Sequence, residues 1–141
     1  MKNIVIIHTA FIGDIVLSTP MIKRLKEKYP ESRIVYLTTP LGKEILENNP
    51  FLDEIMVFDK RGKDRGFKGF LRICKNVRDC RFDLAVIPHR YIRSSLIAFL
   101  GRVKVRNGYR NSEGRLFLNR TVEYLRGVHE VERLLRLAEI A

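Results

Sequence analysis

The chain has 141 residues, 45% of them hydrophobic and 30% charged, with a formal net charge of +11. That is one ordinary domain with enough apolar surface for a single core, which excludes a disordered chain and a pair of full domains. Two cysteines six apart on a predicted helix, Cys74 and Cys80, suit neither a disulfide framework nor a zinc knuckle and read as packing residues.

In chain order, Asn3 to His8 (NIVIIH) is a short β-branched apolar run, the pattern of a strand buried on both faces of a parallel sheet. Asp14 opens an amphipathic helix carried by Ile15, Ile22, Leu25 and Tyr29, with Pro20 predicting a kink or an irregular first turn. Arg33 to Thr39 is a second strand, Gly42 to Asn48 a short helix and Glu54 to Phe58 a third strand. The basic, glycine-containing stretch Asp59 to Lys68 predicts a mobile loop, and Phe67 to Cys80 repeats its apolar residues at helical spacing. A fourth strand follows at Asp83 to Pro88, then a helix from Arg93 to Leu100 and a weaker fifth strand from Lys104 to Tyr109. Residues 110–125 fit no single element, and Val128 to Ile140 is a closing helix.

Strands alternating with helices imply right-handed βαβ units and hence a Rossmann-like, doubly wound parallel α/β sheet forming a single domain over residues 1–141. With the order 3-2-1-4-5 the ligand crevice lies at the carboxyl ends of strands one and four, which brings His8 to Asp14 opposite His89 to Arg93. The apolar run Ile4 to Ile22 is interrupted by Gly13, Asp14 and Pro20, so it predicts neither a signal peptide nor a membrane span.

The charge is unevenly placed. Residues 1–58 carry seven basic and seven acidic side chains, residues 59–81 nine and three, and residues 90–126 nine and two. The later blocks therefore supply a field that attracts phosphate, acidic glycolipid, anionic membrane or nucleic acid. Its densest cluster is Lys60, Arg61, Lys63 and Arg65, with Arg90, Arg93 and Arg120 as further candidates. Asp14 either caps its helix or projects a carboxylate into the crevice, where it can take a proton that becomes acidic in a transition state. His8 and His89 end buried strands, where an imidazole can bind a sugar hydroxyl or a phosphate, and no third ligand accompanies them for a metal. Thr9 to Asp14 lacks the spaced glycines of a dinucleotide loop, so a bound nucleotide requires a partner domain.

The stretch Ile4 to Ile22 (IVIIHTAFIGDIVLSTPMI) resembles the opening of the ADP-heptose:lipopolysaccharide heptosyltransferases, glycosyltransferase family 9. Asn49 to Asp59, Arg81 to Ile87 with Arg93 to Leu96, and His129 to Arg133 agree with the same family in order. The resemblance implies the acceptor-binding, N-terminal half of a GT-B glycosyltransferase, with Asp14 as general base in an inverting transfer of heptose from ADP-heptose to the lipopolysaccharide inner core. It implies no metal and no cofactor, the donor being held mainly by a C-terminal domain that this chain lacks, so the isolated chain is expected not to catalyse transfer. Thr9, Gly13, Lys60, Arg61, His89, Arg93 and Arg120 become candidate substrate-binding residues, while His129 is expected to support the last helix, beside an ion pair between Glu132 and Arg133. Partners would be an anionic glycolipid, the lipid A core sugars, and the inner face of the inner membrane, contacted peripherally from the cytoplasm. Where many members have serines before the Gly-Asp pair, this chain has Ala10 and Phe11. The competing expectations are a basic α/β nucleic-acid-binding domain, which lacks interleaved aromatics and a helix-turn-helix pattern, and a regulatory domain whose acidic pocket would need more than Asp14 and Asp59.

Overall fold

The computed structural model describes residues 2–141. Six parallel strands form one sheet: β1 (Asn3–Ile7), β2 (Arg33–Thr38), β3 (Glu54–Val57), β4 (Leu84–Val86), β5 (Val105–Tyr109) and β6 (Arg120–Val122). Their order is β3-β2-β1-β4-β5-β6. The doubly wound sheet and its switch point between β1 and β4 are as expected, with one strand more than the sequence predicts. That strand, β6, is only three residues long and pairs through Asn107 with Arg120 and Tyr109 with Val122 at the sheet edge.

Alternating side chains of each central strand feed two cores. Ile4 and Ile6 of β1 pack under α2 (Thr19–Lys28) and α6 (Glu130–Ile140), together with Leu134 and Leu137. Val5 and Ile7 point to the other face, under α4 (Gly66–Cys80) and α5 (Ile92–Leu100), with Ile73, Val77 and Ile97. Every one of these nine side chains is buried, so truncating one to alanine costs about 2–5 kcal/mol. Cys74 joins the second core and Cys80 lies at its rim, both as free thiols.

The helix expected to kink or begin irregularly at Pro20 is two helices, α1 (Ile12–Leu17) and α2, joined at Ser18. Proline sits in the first turn of α2, where its missing N–H is one of the groups no helix can pair. The short α3 (Pro40–Leu46) starts the same way, with Thr39 capping Gly42. The stretch expected to be a mobile loop is a compact series of turns. Asp64, only 4% exposed, accepts from the backbone N–H of Asp59 and from Arg72. A methyl at Gly69 would strike the Asp64 backbone, so α4 is pressed directly onto this turn.

The amino end of the sheet is fastened by one repeated device. Asp53, Asp83 and Asn119 each immediately precede a strand and donate their backbone N–H to a carbonyl of the neighbouring strand, those of Ile34, Asn3 and Arg106. Each side chain then accepts the backbone N–H of that same residue, at 2.7, 2.9 and 2.7 Å. Strand-end groups that would otherwise lack partners are thereby satisfied.

Candidate active site

The carboxyl ends of β1 and β4 open onto a crevice of about 320 Å³. His8, Ala10, Phe11 and Asp14 line it from one side, Pro88, His89, Arg90 and Tyr91 from the other. The two segments that the expected strand order brings together therefore do face one another.

Asp14 is half-buried in the first turn of α1 and lines the crevice. It is not the cap of that helix: Phe11 occupies the N-cap position, and no side-chain capping bond is made there. The Asp14 carboxylate has no hydrogen-bond or ion-pair partner among the described residues. A methyl group at Gly13 would meet nothing within 4 Å, so the fold does not require glycine there and the space beside Asp14 is open. Ala10 and Phe11 supply no hydroxyl, and Phe11 is 77% exposed.

Behind Asp14 lie two imidazoles. His8 and His89 have ring centroids 5.3 Å apart, and His89 packs edge-on against Tyr91. Burial, and then the neighbouring His89, pushes the His8 pKa down to about 3, while burial and the Lys60 ammonium push His89 to about 4. Both rings are neutral at physiological pH.

Lys60 reaches back from the turn after β3 and donates to the carbonyl of Thr9 at 3.1 Å. Partial burial lowers its pKa, followed by the charges of Arg93 and Arg61. Lys60, Arg61 and Arg93 thus share one basic lip, with Arg93 in the first turn of α5. Lys63 and Arg65 are exposed on the same turn. The rest of the crevice departs from the expectation of a uniformly positive groove, because Glu113 and Glu130 join Asp14 in its wall against the single cation Arg90.

That wall contains residues that sequence periodicity did not single out. Tyr124 lies under Arg90 and Arg133, with guanidinium carbons 4.6 and 4.2 Å from its ring centroid. Arg133 is buried, donates to the Leu125 and Val128 carbonyls and pairs with Glu130, where Glu132 was expected. His129 caps α6 by accepting from Val131, which supports that helix. Arg120 is not brought to the crevice: it starts β6 at the opposite end of the sheet and donates to the carbonyl of Ile140, closing the last turn of α6.

No family model matches the chain. A lipopolysaccharide core heptosyltransferase, OpsX of Haemophilus influenzae, is 22% identical over 142 residues, covering 98% of this chain. The chain is similar to heptosyltransferases. Among solved structures, a family 9 glycosyl transferase from Veillonella parvula superposes with a TM-score of 0.90 at 24% identity over 99% of this chain and 41% of its own. Escherichia coli heptosyltransferase WaaC, solved with ADP-2-deoxy-2-fluoro heptose, gives 0.81 at 15% identity, covering 99% of this chain and 48% of WaaC. The Rossmann-like fold is the one expected, and these glycosyltransferase structures share it over nearly the whole chain. The chain spans 40% of the length of the OpsX relative. Among the described residues no helix is long and apolar enough to cross a membrane, and no three His, Cys, Asp or Glu side chains group as a metal site.

Proposed function

We propose that this chain is the acceptor-side domain of an inverting heptosyltransferase that moves heptose from ADP-heptose to the lipopolysaccharide inner core. The observation that carries the proposal is the Asp14 carboxylate, half-buried at the mouth of the β1–β4 crevice and left without a protein partner. A carboxylate so placed can accept the proton of a sugar hydroxyl as that oxygen attacks the anomeric carbon. The new C–O bond forms on one face while the bond to the diphosphate breaks on the other, and the configuration inverts. Such a displacement asks for no metal ion when basic and backbone groups meet the charge of the departing diphosphate.

Lys60, Arg61 and Arg93 would receive the acidic groups of the lipid A core, because they share a lip at Thr9 and His89 and lack carboxylate partners among the described residues. Open space at Gly13 and the Thr9 carbonyl under Lys60 give the acceptor room and a second anchor. ADP-heptose would be held mainly by a second domain facing this crevice. An enzyme working on a membrane glycolipid would sit peripherally on the cytoplasmic face of the inner membrane, where the positive field of residues 59–81 and 90–126 is attracted to anionic lipid. In the full-length enzyme, Asp14→Asn should reduce heptose transfer by about 10²–10⁴-fold while donor binding persists. Undiminished turnover by that variant would remove Asp14 from the chemistry.

A further inference from the structure

A buried hydrogen-bond chain under the crevice fixes where His8 carries its proton. Ser18 Oγ donates its one proton to the Ile15 carbonyl at 2.6 Å, a bond back along the helix. With that proton committed, Ser18 Oγ accepts from the Tyr36 hydroxyl 2.8 Å away. The Tyr36 proton is thereby spent as well, and its oxygen accepts from Nδ1–H of His8 at 3.1 Å. Ser18 and Tyr36 are fully buried and His8 is 2% exposed, so water does not compete for these groups. Burial, with the charge of Asp14 nearby, also keeps the Tyr36 phenol from ionising.

A neutral imidazole protonated on Nδ1 presents a bare lone pair at Nε2. That nitrogen has no partner among the described residues, and His8 lines the crevice beside Asp14 and His89. His89 is placed alike: its Nε2 is bonded to Ser94 Oγ, and its buried Nδ1 has no partner.

From this geometry we infer that His8 and His89 form a subsite for a neutral sugar hydroxyl, with His8 Nε2 accepting the O–H. A bare lone pair repels phosphate oxygen, so the floor of the crevice selects the polyol part of an acceptor and the Lys60, Arg61 and Arg93 lip its acidic part. His8 is thus a binding residue distinct from the base, and Ser18 and Tyr36 are positioning residues that set its tautomer. The sugar assignment rests on the proposed acceptor site, whereas the tautomer is a property of this chain alone.

The test is ¹⁵N NMR of the imidazoles in this chain between pH 8 and 5, alone, with a heptose methyl glycoside and with sulfate, an anion that carries no proton in this range. The expected result is an Nδ1–H tautomer of His8 that does not titrate in this range, and an Nε2 resonance that moves with the glycoside but not with sulfate. Ser18→Ala releases the Tyr36 proton to donate to Nδ1, so a fraction of His8 should switch to Nε2–H and the glycoside should bind about tenfold more weakly. An Nε2–H or charged ring in the unaltered chain overturns the inference, as does a pure Nδ1–H ring in the Ser18→Ala variant. A correct tautomer that ignores the glycoside, or answers sulfate, overturns the ligand assignment. Because none of these signals depends on turnover, they separate this inference from the transferase proposal, which Asp14→Asn tests in the full-length enzyme.

Discussion

The two ends of the sheet use the same side-chain chemistry for opposite purposes. At the amino end, Asp53, Asp83 and Asn119 are bound to the backbone of the neighbouring strand and have little left to offer a ligand. At the carboxyl end, Asp14 has no partner among the described residues, and His89 keeps a buried nitrogen unpaired. An unpaired buried polar group costs about 1–3 kcal/mol, a cost the crevice bears at His89 Nδ1, whereas these three side chains at the amino end are satisfied. The carboxylate chemistry left free for a ligand thus lies at the carboxyl end, in the wall of the crevice.

Exchanging the treatment of two aspartates should break this contrast most sharply. In the proposed full-length transferase, Asp14→Ala is expected to remove transfer by two orders of magnitude or more and leave the thermal midpoint nearly unchanged. Asp83→Ala should do the reverse, costing about 1–3 kcal/mol in denaturant unfolding because the Asn3 N–H loses its partner, with activity per folded molecule intact. Loss of activity from both, at equal stability, would dissolve the distinction.

The buried imidazoles sharpen the same contrast through pH. His8 and His89 have folded pKa values of about 3 and about 4 against an ordinary 6.5, so below pH 6.5 the unfolded chain takes up protons that the folded chain refuses. Their contribution to stability is complete above pH 6.5 and falls with pH through about 4 and about 3, by roughly 1 kcal/mol per pH unit for each ring. Urea unfolding at pH 7, 6 and 5 should show this slope, and His8→Gln with His89→Asn should flatten it.

Smaller effects are expected at the basic residues. Lys60→Ala with Arg61→Ala should weaken binding of a phosphorylated core oligosaccharide about tenfold and reduce its salt dependence, measured by calorimetry at two ionic strengths. Arg120→Ala should leave that affinity alone and cost at most about 0.5 kcal/mol, because it only closes the end of α6.

Strand order and the meeting of His8 to Asp14 with His89 to Arg93 were legible in the sequence because handedness leaves a doubly wound chain few choices. Asp53 and Asp83 were present in the motif segments Asn49 to Asp59 and Arg81 to Ile87, but their role in fastening the neighbouring strands was not legible. Asp53 and Asp83 act sideways on strands 19 and 80 residues away, and no local period records that. The three-residue strand β6 was too short to carry an alternation. Missing it also hid Glu113, Tyr124 and Glu130, which reach the crevice only because the connections around β6 turn back toward β4. The compact turn at Asp64 read as a mobile loop because glycines and charges dominate its composition, while its one buried carboxylate decides its structure.

The most direct test is to map where a lipid A core oligosaccharide shifts the backbone amide resonances of this chain. The account predicts that the largest changes fall at His8, Asp14, Lys60, His89 and Arg93, with Asn3, Asp53, Asp83 and Asn119 unmoved. Changes centred on the amino end of the sheet, or an even spread over the basic surface, would contradict it.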